Sequence, residues 1–142
     1  MNILFSMIVF LSSFAVFAQD KNEKEILKLI SEQAQMWNKR DLSGFMSYYQ
    51  QSDQLIFVGK SGVTYGWETV KSNYEKSYGK DQQDLGQLFF EIVETRKLDK
   101  KNYLMVGKWL VKKEGKDDLK GFFSLIWQKI AGKWFIIADH SS

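Results

Sequence analysis

The single histidine of the 142-residue chain, His140, directly follows Asp139 close to the C-terminus. Histidine ordinarily titrates near neutral pH, so in a pocket it can serve as an acid, a base or a polar ligand contact. Strand alternation from Trp134 places Trp134 and His140 on one face and Asp139 on the other. We therefore expect His140 to point into the interior with Trp134, and Asp139 to form a hydrogen bond at the strand end or a dimer edge. A histidine that caps local backbone or packs near the chain end is the alternative.

Carboxylates and phenols supply the other groups that proton transfer beside a carbonyl needs. Such a reaction uses one carboxylate as base and two donors that hold the developing enolate. Asp53 precedes a short apolar segment, and Glu91 and Glu94 lie on opposite faces of a long one unless a bulge intervenes. The alternatives are a simple turn at Asp53 and surface pairing of either glutamate with Arg96 or a lysine. The tyrosines that could donate are Tyr48, Tyr49, Tyr65 and Tyr74.

Composition and spacing argue against several other chemistries. One histidine and no cysteine argue against a zinc site, and the lack of cysteine excludes disulfides. Ser141 and Ser142 are too close in sequence to His140 for a Ser-His-Asp triad. The GKSG segment at 59–62 is too short for a phosphate-binding loop. The net charge of +3 comes from scattered lysines, so no nucleic-acid partner is expected.

Three amphipathic segments in the first half of the chain predict helices. Residues 23–39 carry apolar side chains at helical spacing, with Asn22 as the expected N-cap. Asp41 is the expected N-cap of a second, shorter helix. A third helix is expected from Gly66 to about Tyr78, where large side chains recur three and four residues apart.

Apolar segments between turn residues predict the strands. A short strand is expected at 54–58, before the third helix, and four further strands follow that helix. These four are expected at 85–98, 103–113, 119–130 and 134–139. The order α-α-β-α-β-β-β-β is typical of an α+β fold with an antiparallel meander.

The strand at 119–130 is mostly apolar on both of its faces. Phe123, Leu125 and Trp127 alternate with Phe122 and Ile126. An antiparallel sheet with one solvated face should instead alternate cleanly between apolar and polar residues. The helices can cover only one face, so we expect a second copy of the chain to cover the other in a homodimer packed sheet to sheet.

The first eighteen residues contain no charged side chain and a long apolar run. The run is short for a membrane span, and Val16 and Ala18 are small residues suited to a cleavage site. We expect residues 1–18 to be a signal peptide cleaved after Ala18, and residues 19–142 to form one domain. The mature protein would then be secreted or periplasmic, with no membrane association. An uncleaved anchor is the alternative.

Three stretches together resemble one known superfamily. They are WNKRDLSGFMSYY (37–49), FVGKSGVTYGWETVKSNYEKSY (57–78) and FFSLIWQKIAGKWFIIADHSS (122–142). With the element order, they make residues 22–142 resemble the nuclear transport factor 2-like superfamily. More narrowly, they resemble its SnoaL-like, ketosteroid isomerase-like group, domain of unknown function 4440. The resemblance implies a cone in which three N-terminal helices pack on a curved, mainly antiparallel sheet around a cavity.

The superfamily hosts enzymes, transport factors and association domains, so the resemblance leaves the function open. We expect an exported small-molecule-binding domain that needs no cofactor or metal. One alternative is a ketosteroid isomerase- or cyclase-like enzyme, with Asp53, Glu91 and His140 as candidate catalytic residues. The other is a dimeric interaction module with a vestigial pocket. A carboxylate buried in the interior would favour the enzyme over pure binding. A small apolar ligand would contact the candidate binding residues Tyr48, Trp67, Trp109, Trp127 and His140.

Overall fold

The computed structural model describes residues 20–79 and 85–142, so the expected signal peptide lies outside the described residues. The helices are α1 (Lys21–Asn38), α2 (Leu42–Met46) and α3 (Trp67–Tyr78), of which α1 and α3 are long. The strands are β1 (Ile56–Gly59), β2 (Gly62–Tyr65), β3 (Gln87–Lys97), β4 (Asn102–Lys112), β5 (Leu119–Ile130) and β6 (Lys133–Ser141). No helix within these two ranges is long and apolar enough to cross a membrane.

The six strands form one curved sheet in the order β2-β1-β6-β5-β4-β3. Neighbouring strands are antiparallel except β1 and β6, which run parallel. The four long strands therefore make the expected meander, and the predicted α+β class with a mainly antiparallel sheet is confirmed.

The strand β2 is an addition to the expected order. Its four residues, GVTY, pair with β1 across the predicted GKSG turn. Three of the four are exposed, so the segment lacks the alternation of apolar and polar residues that marks a half-buried strand. The hairpin of β1 and β2 therefore forms one edge of the sheet, with β2 outermost.

The beginnings of α1 and α2 are both fixed by aspartates. The Oδ1 of Asp20 accepts from the backbone N–H of Glu23 at 2.8 Å, so Asp20 is the N-cap of α1 and the prediction of Asn22 is wrong. The Oδ2 of Asp20 also accepts from the hydroxyl of Tyr103, which ties the start of α1 to β4. Asp41 is confirmed as the N-cap of α2, because its Oδ1 accepts from the N–H of Gly44 at 2.7 Å.

The core lies between the helices and the inner face of the sheet. Its fully buried side chains include Ile26, Met46, Leu55, Met105, Trp127 and Ile136. At the end of α1 the Asn38 side chain mimics a neighbouring strand for the edge strand β3. Its Nδ2 donates to the carbonyl of Leu88 at 3.0 Å, and its Oδ1 accepts from the N–H of Leu88 at 2.7 Å.

A β-bulge in β6 reverses the alternation of its side chains. Trp127 of β5 pairs with Ile136, but Ile126 pairs with Ala138, so Ile137 is an extra residue in β6. Trp134 is buried before the bulge, and after it Asp139 is buried while His140 is exposed. The prediction that His140 shares the interior with Trp134 is therefore wrong, as is the outward orientation predicted for Asp139.

A second bulge, in β3, decides where its two glutamates point. Ile92 pairs with Gly107 and Glu94 pairs with Val106, which leaves Val93 as the extra residue. As a result Glu91 and Glu94 both lie on the outer face of the sheet and both are exposed.

Candidate functional site

Asp139 is a carboxylate in the interior of the fold, only 5% exposed. The hydroxyl of Tyr49 donates to its Oδ2 at 2.7 Å, and the hydroxyl of Ser141 donates to its Oδ1 at 2.9 Å. Tyr49 is held against β6 by the backbone on either side of it. The N–H of Gln50 donates to the carbonyl of Ile136 at 2.9 Å, and the N–H of Ile136 donates to the carbonyl of Tyr48 at 2.9 Å.

Tyr74 of α3 completes this polar group. Its hydroxyl lies beside that of Tyr49, and its ring packs edge-on against Phe57 of β1 with centroids 5.9 Å apart. Phe57 pairs with Asp139 across the parallel strands, so β1, β6 and α3 converge on one point. We call Tyr49, Tyr74, Asp139 and Ser141 the Asp139 group.

Burial sets the protonation of this group. Burial raises the pKa of Asp139 from 3.8 to about 6, although the hydroxyls of Tyr49 and Ser141 favour its ionised form. Burial, and after it the charge of Asp139, raises the pKa of Tyr49 and of Tyr74 well above the ordinary value. The two phenols therefore remain hydrogen-bond donors, and Asp139 is the member that can take up or release a proton near neutral pH.

Aromatic rings surround the Asp139 group on its helical side. They form an aromatic cluster of Trp37, Phe45, Tyr49, Phe57, Tyr74 and Tyr78. Tyr74 lies at its centre, with ring centroids 5.4 Å from Phe45, 5.9 Å from Phe57 and 5.8 Å from Tyr78. Tyr78 is 39% exposed, so the cluster reaches solvent at the end of α3.

No lysine or arginine of the described residues pairs with Asp139, and His140 acts on its carboxylate through charge. Its neighbours across the adjacent strands are Phe57 and Leu125, and His140 points to the opposite face of the sheet. Within the described ranges there is also no grouping of three histidine, cysteine, aspartate or glutamate residues that could hold a metal ion. The Asp139 group is thus one carboxylate acceptor with two phenols and the Ser141 hydroxyl, in largely aromatic surroundings.

The three candidate catalytic residues lie apart from one another. Asp53 is exposed in the turn before β1. Glu91 is exposed on β3, where its Oε1 accepts from the Nζ of Lys108 at 2.9 Å. His140 is exposed on the outer face of the sheet. None of the three is a hydrogen-bond partner of Asp139, although the charge of His140 acts on its carboxylate, and a catalytic role for each remains a prediction.

The candidate ligand-binding aromatics are likewise spread through the fold. Tyr48 is half-buried beside Tyr49, and Trp67 begins α3 with its indole Nε1 donating to the carbonyl of Met46 at 3.0 Å. Trp127 is fully buried in the core. Trp109 is half-buried on the inner face of β4, opposite Phe90 of β3. Their roles in binding remain predictions.

His140 borders a shallow groove on the outer face of the sheet. The groove has a volume of about 120 Å³ and runs across β1, β6, β5 and β4. The outward side chains along it are Ile56, Val58, Leu104, Ser124, Ile126, Ala138 and His140. Leu125 and Asp139 also border the groove, although both are buried, and its outward side chains are apolar apart from one hydroxyl and the imidazole.

Sequence reasoning named Tyr49 and Tyr74 as donors but missed the carboxylate that they surround. The segment Phe135 to Ala138 is apolar at every position, so its pattern does not reveal the extra residue at 137. A hydrogen bond between residues 90 positions apart also leaves no trace in local spacing. One signal was available. Strict alternation places two large apolar residues, Phe135 and Ile137, on the outer face, and this is a sign that the alternation is interrupted.

Comparison with known proteins gives one informative kind of match. No family model matches the chain, and no curated protein matches it. Among solved structures, an NTF-2 like protein of unknown function from Shewanella oneidensis is similar to this chain. The two are 34% identical with a TM-score of 0.81, over 85% of this chain and 98% of that one.

Two more distant structures share the fold. An NTF2-like protein of unknown function from Pseudomonas putida is 18% identical with a TM-score of 0.71, over 85% of each chain. A putative calcium/calmodulin dependent protein kinase II association domain from Xanthomonas campestris is 20% identical with a TM-score of 0.66, over 87% of this chain and 88% of that one. The fold of this chain, with helices on the inner face of a curved sheet, agrees with its 34% identity to the Shewanella protein. The chain belongs to the nuclear transport factor 2-like superfamily.

Proposed function

We propose that the chain is a small-molecule-binding domain whose ligand occupies the interior between the helices and the sheet, beside the Asp139 group. The observation that carries the proposal is the buried carboxylate of Asp139, held by two hydroxyls and bordered by the aromatic cluster. Ligand pockets are typically apolar and aromatic, with a few polar groups that converge. A buried carboxylate lowers stability, so its presence in a core favours a role beyond packing.

Within the superfamily we propose the SnoaL-like group, on the three sequence stretches that suggested it. Two of these stretches supply the Asp139 group: WNKRDLSGFMSYY contains Tyr49, and FFSLIWQKIAGKWFIIADHSS contains Asp139 and Ser141. The third stretch, through α3, supplies Tyr74. We also propose that the chain is exported, because its first eighteen residues are uncharged and largely apolar.

Native mass spectrometry of the protein purified from its source tests the binding proposal. We expect a fraction of the chains to carry a bound small molecule that dissociates on unfolding. A Tyr49→Phe variant should retain less of it because the variant loses the donor that holds Asp139. The matched control is Tyr65→Phe, an exposed phenol on β2 that should bind like the wild type. Recovery of ligand-free protein from several growth conditions would contradict the proposal.

An enzyme of ketosteroid isomerase or cyclase type is the second candidate function. It is favoured by one observation: Asp139 is a buried carboxylate whose pKa of about 6 suits a general base. The same purified ligand separates the two functions. Recovery of the compound unchanged after incubation with fresh protein supports binding alone, and its conversion supports the enzyme.

We propose that the outer face of the sheet binds a second copy of the chain. Its apolar groove includes Ile56, which is 38% exposed, and the same face carries Phe122, which is 59% exposed. On one side of these, on β3 and β4, lie the paired charges of Glu91 with Lys108 and of Glu94 with Arg96. An apolar surface of this kind can pack on the same surface of a second copy about a two-fold axis, as a homodimer requires.

Light scattering checks this arrangement. We expect the wild type to have twice the mass of one chain and Leu104→Glu to have the mass of one chain, because the substitution puts a charge into the apolar groove. Lys28→Glu is the control, since it changes the charge on the far side of the molecule, on the exposed face of α1. A wild type with the mass of a single chain would rule out the sheet-to-sheet dimer and leave the interior site unaffected.

A further inference from the structure

We propose that the ligand of the interior site is a small organic cation, an alkylammonium or quaternary ammonium group whose charge lies between Asp139 and the rings of the aromatic cluster. This inference rests on the binding function proposed above and names the chemical class of the ligand.

The first step is the unbalanced charge of Asp139. Asp139 is buried, and with a pKa of about 6 it is mainly ionised at pH 7. Buried charges in proteins are usually paired with an opposite charge or a metal, because a carboxylate without water loses its solvation. Among the described residues no lysine or arginine pairs with Asp139, and the basic side chain whose charge acts on its carboxylate is His140, on the outer face of the sheet.

The second step is the capacity left on the carboxylate. An ionised carboxylate has about four lone-pair positions. Two are used, one on Oδ2 by Tyr49 and one on Oδ1 by Ser141. Because both partners are neutral donors, they support the anion without cancelling its charge. A cationic ligand would stabilise the anion and also balance its charge.

The third step is the surroundings of that charge. Phe57 and Leu125 flank Asp139 on the neighbouring strands, and Tyr49 and Tyr74 approach from the helical side. Aromatic faces attract cations through their quadrupole, and aromatic cages are the usual binding sites of quaternary ammonium groups. A carboxylate bordered by aromatic rings therefore combines the two interactions that favour an organic cation over a neutral molecule.

A metal ion fits the same residues less well. Hard cations such as calcium and magnesium take six or more oxygen ligands, usually with several carboxylates. Asp139 is the one buried carboxylate among the described residues, and its neighbours are phenols and hydrocarbon. An organic cation needs only one carboxylate and uses the rings as its remaining contacts.

Binding of two probes of similar size, one charged and one neutral, tests the inference. Tetramethylammonium chloride and 2,2-dimethylpropan-1-ol are titrated into the full-length protein at pH 7.5, and the intrinsic tryptophan fluorescence and the thermal unfolding midpoint are followed. Sodium chloride at matched ionic strength corrects for screening. We expect the cation to bind at least about tenfold more tightly than the alcohol.

Variants show whether Asp139 is the source of that preference. Asp139→Asn should remove the tenfold difference between the probes, and Tyr49→Phe should weaken both probes while keeping the preference for the cation. Glu114→Gln and Asp118→Asn are matched controls that neutralise exposed carboxylates, and both should behave like the wild type. The wild-type comparison of the two probes stands even if a variant fails to fold.

Two outcomes overturn the inference. If the alcohol binds as tightly as the cation, or more tightly, the ligand is not selected by charge and the binding function stands without this refinement. If tetramethylammonium produces no saturable change, the cation class is wrong, and mass spectrometry of the purified protein then decides the binding function separately.

Discussion

Titration of Asp139 is expected to lower the free energy of unfolding of the wild type as pH rises from about 4 to about 6. The Asp139→Asn variant should lack this decrease. The pKa of Asp139 is raised from 3.8 to about 6 by burial, so in this window the folded protein binds a proton that the unfolded chain has already released. Protonation then favours the folded state, and its contribution disappears as pH rises through the folded-state pKa. A difference of this size corresponds to about 3 kcal/mol.

The measurement is the free energy of unfolding by urea at pH 4, 5, 6, 7 and 8, for both proteins at one protein concentration. The wild type minus Asp139→Asn difference should become less favourable by about 2 kcal/mol between pH 4 and pH 6, lose a further few tenths of a kcal/mol by pH 7 and stay constant above that. Taking the difference matters because Asp20, whose pKa is lowered chiefly by its hydrogen bond from Tyr103, acts in the opposite direction. Asp53→Asn should follow the wild-type curve, and parallel curves for wild type and Asp139→Asn would show that Asp139 does not titrate in this window.

A single extra residue, Ile137, explains why this carboxylate was not found from the sequence. A shift of one residue in a strand moves every later side chain to the other face. The strand β6 was expected as Trp134 to Asp139 and is observed as Lys133–Ser141, so its position was predicted well. The face occupied by Asp139 and His140 was not, because a bulge is set by pairing with β5 and not by the local apolar pattern.

The parts of the fold that were predicted correctly are those with strong local signals. The strand β5 begins and ends where expected, at Leu119 and Ile130, because a turn with charged residues and glycine precedes it and Ala131-Gly132 follows. Asp41 was identified as an N-cap because aspartate is one of the residues preferred directly before the first turn of a helix. The hairpin strand β2 and the pairing of Tyr49 with Asp139 depend on contacts between distant segments, which local patterns do not encode.

The Trp134→Ala variant is expected to lose about 3–5 kcal/mol of stability, the usual cost of truncating a buried large aromatic side chain. Trp134 is 3% exposed, its ring meets that of Tyr103 edge-on with centroids 5.4 Å apart, and the ammonium of Lys129 lies 5.4 Å from its centroid. Its indole N–H has no hydrogen-bond partner within the described residues, so the loss comes from packing and the cavity left behind.

Urea denaturation at pH 7 measures this loss, with Leu98→Ala as the control for truncating an apolar side chain that is 52% exposed. The control should change stability by less than about 1 kcal/mol. Because Trp134 precedes the bulge and Asp139 follows it, the two substitutions examine opposite sides of the extra residue. A loss under about 1 kcal/mol for Trp134→Ala would mean that Trp134 does not face the helices. The inward direction of Asp139 follows from that of Trp134 and the intervening bulge, so it would then be wrong as well.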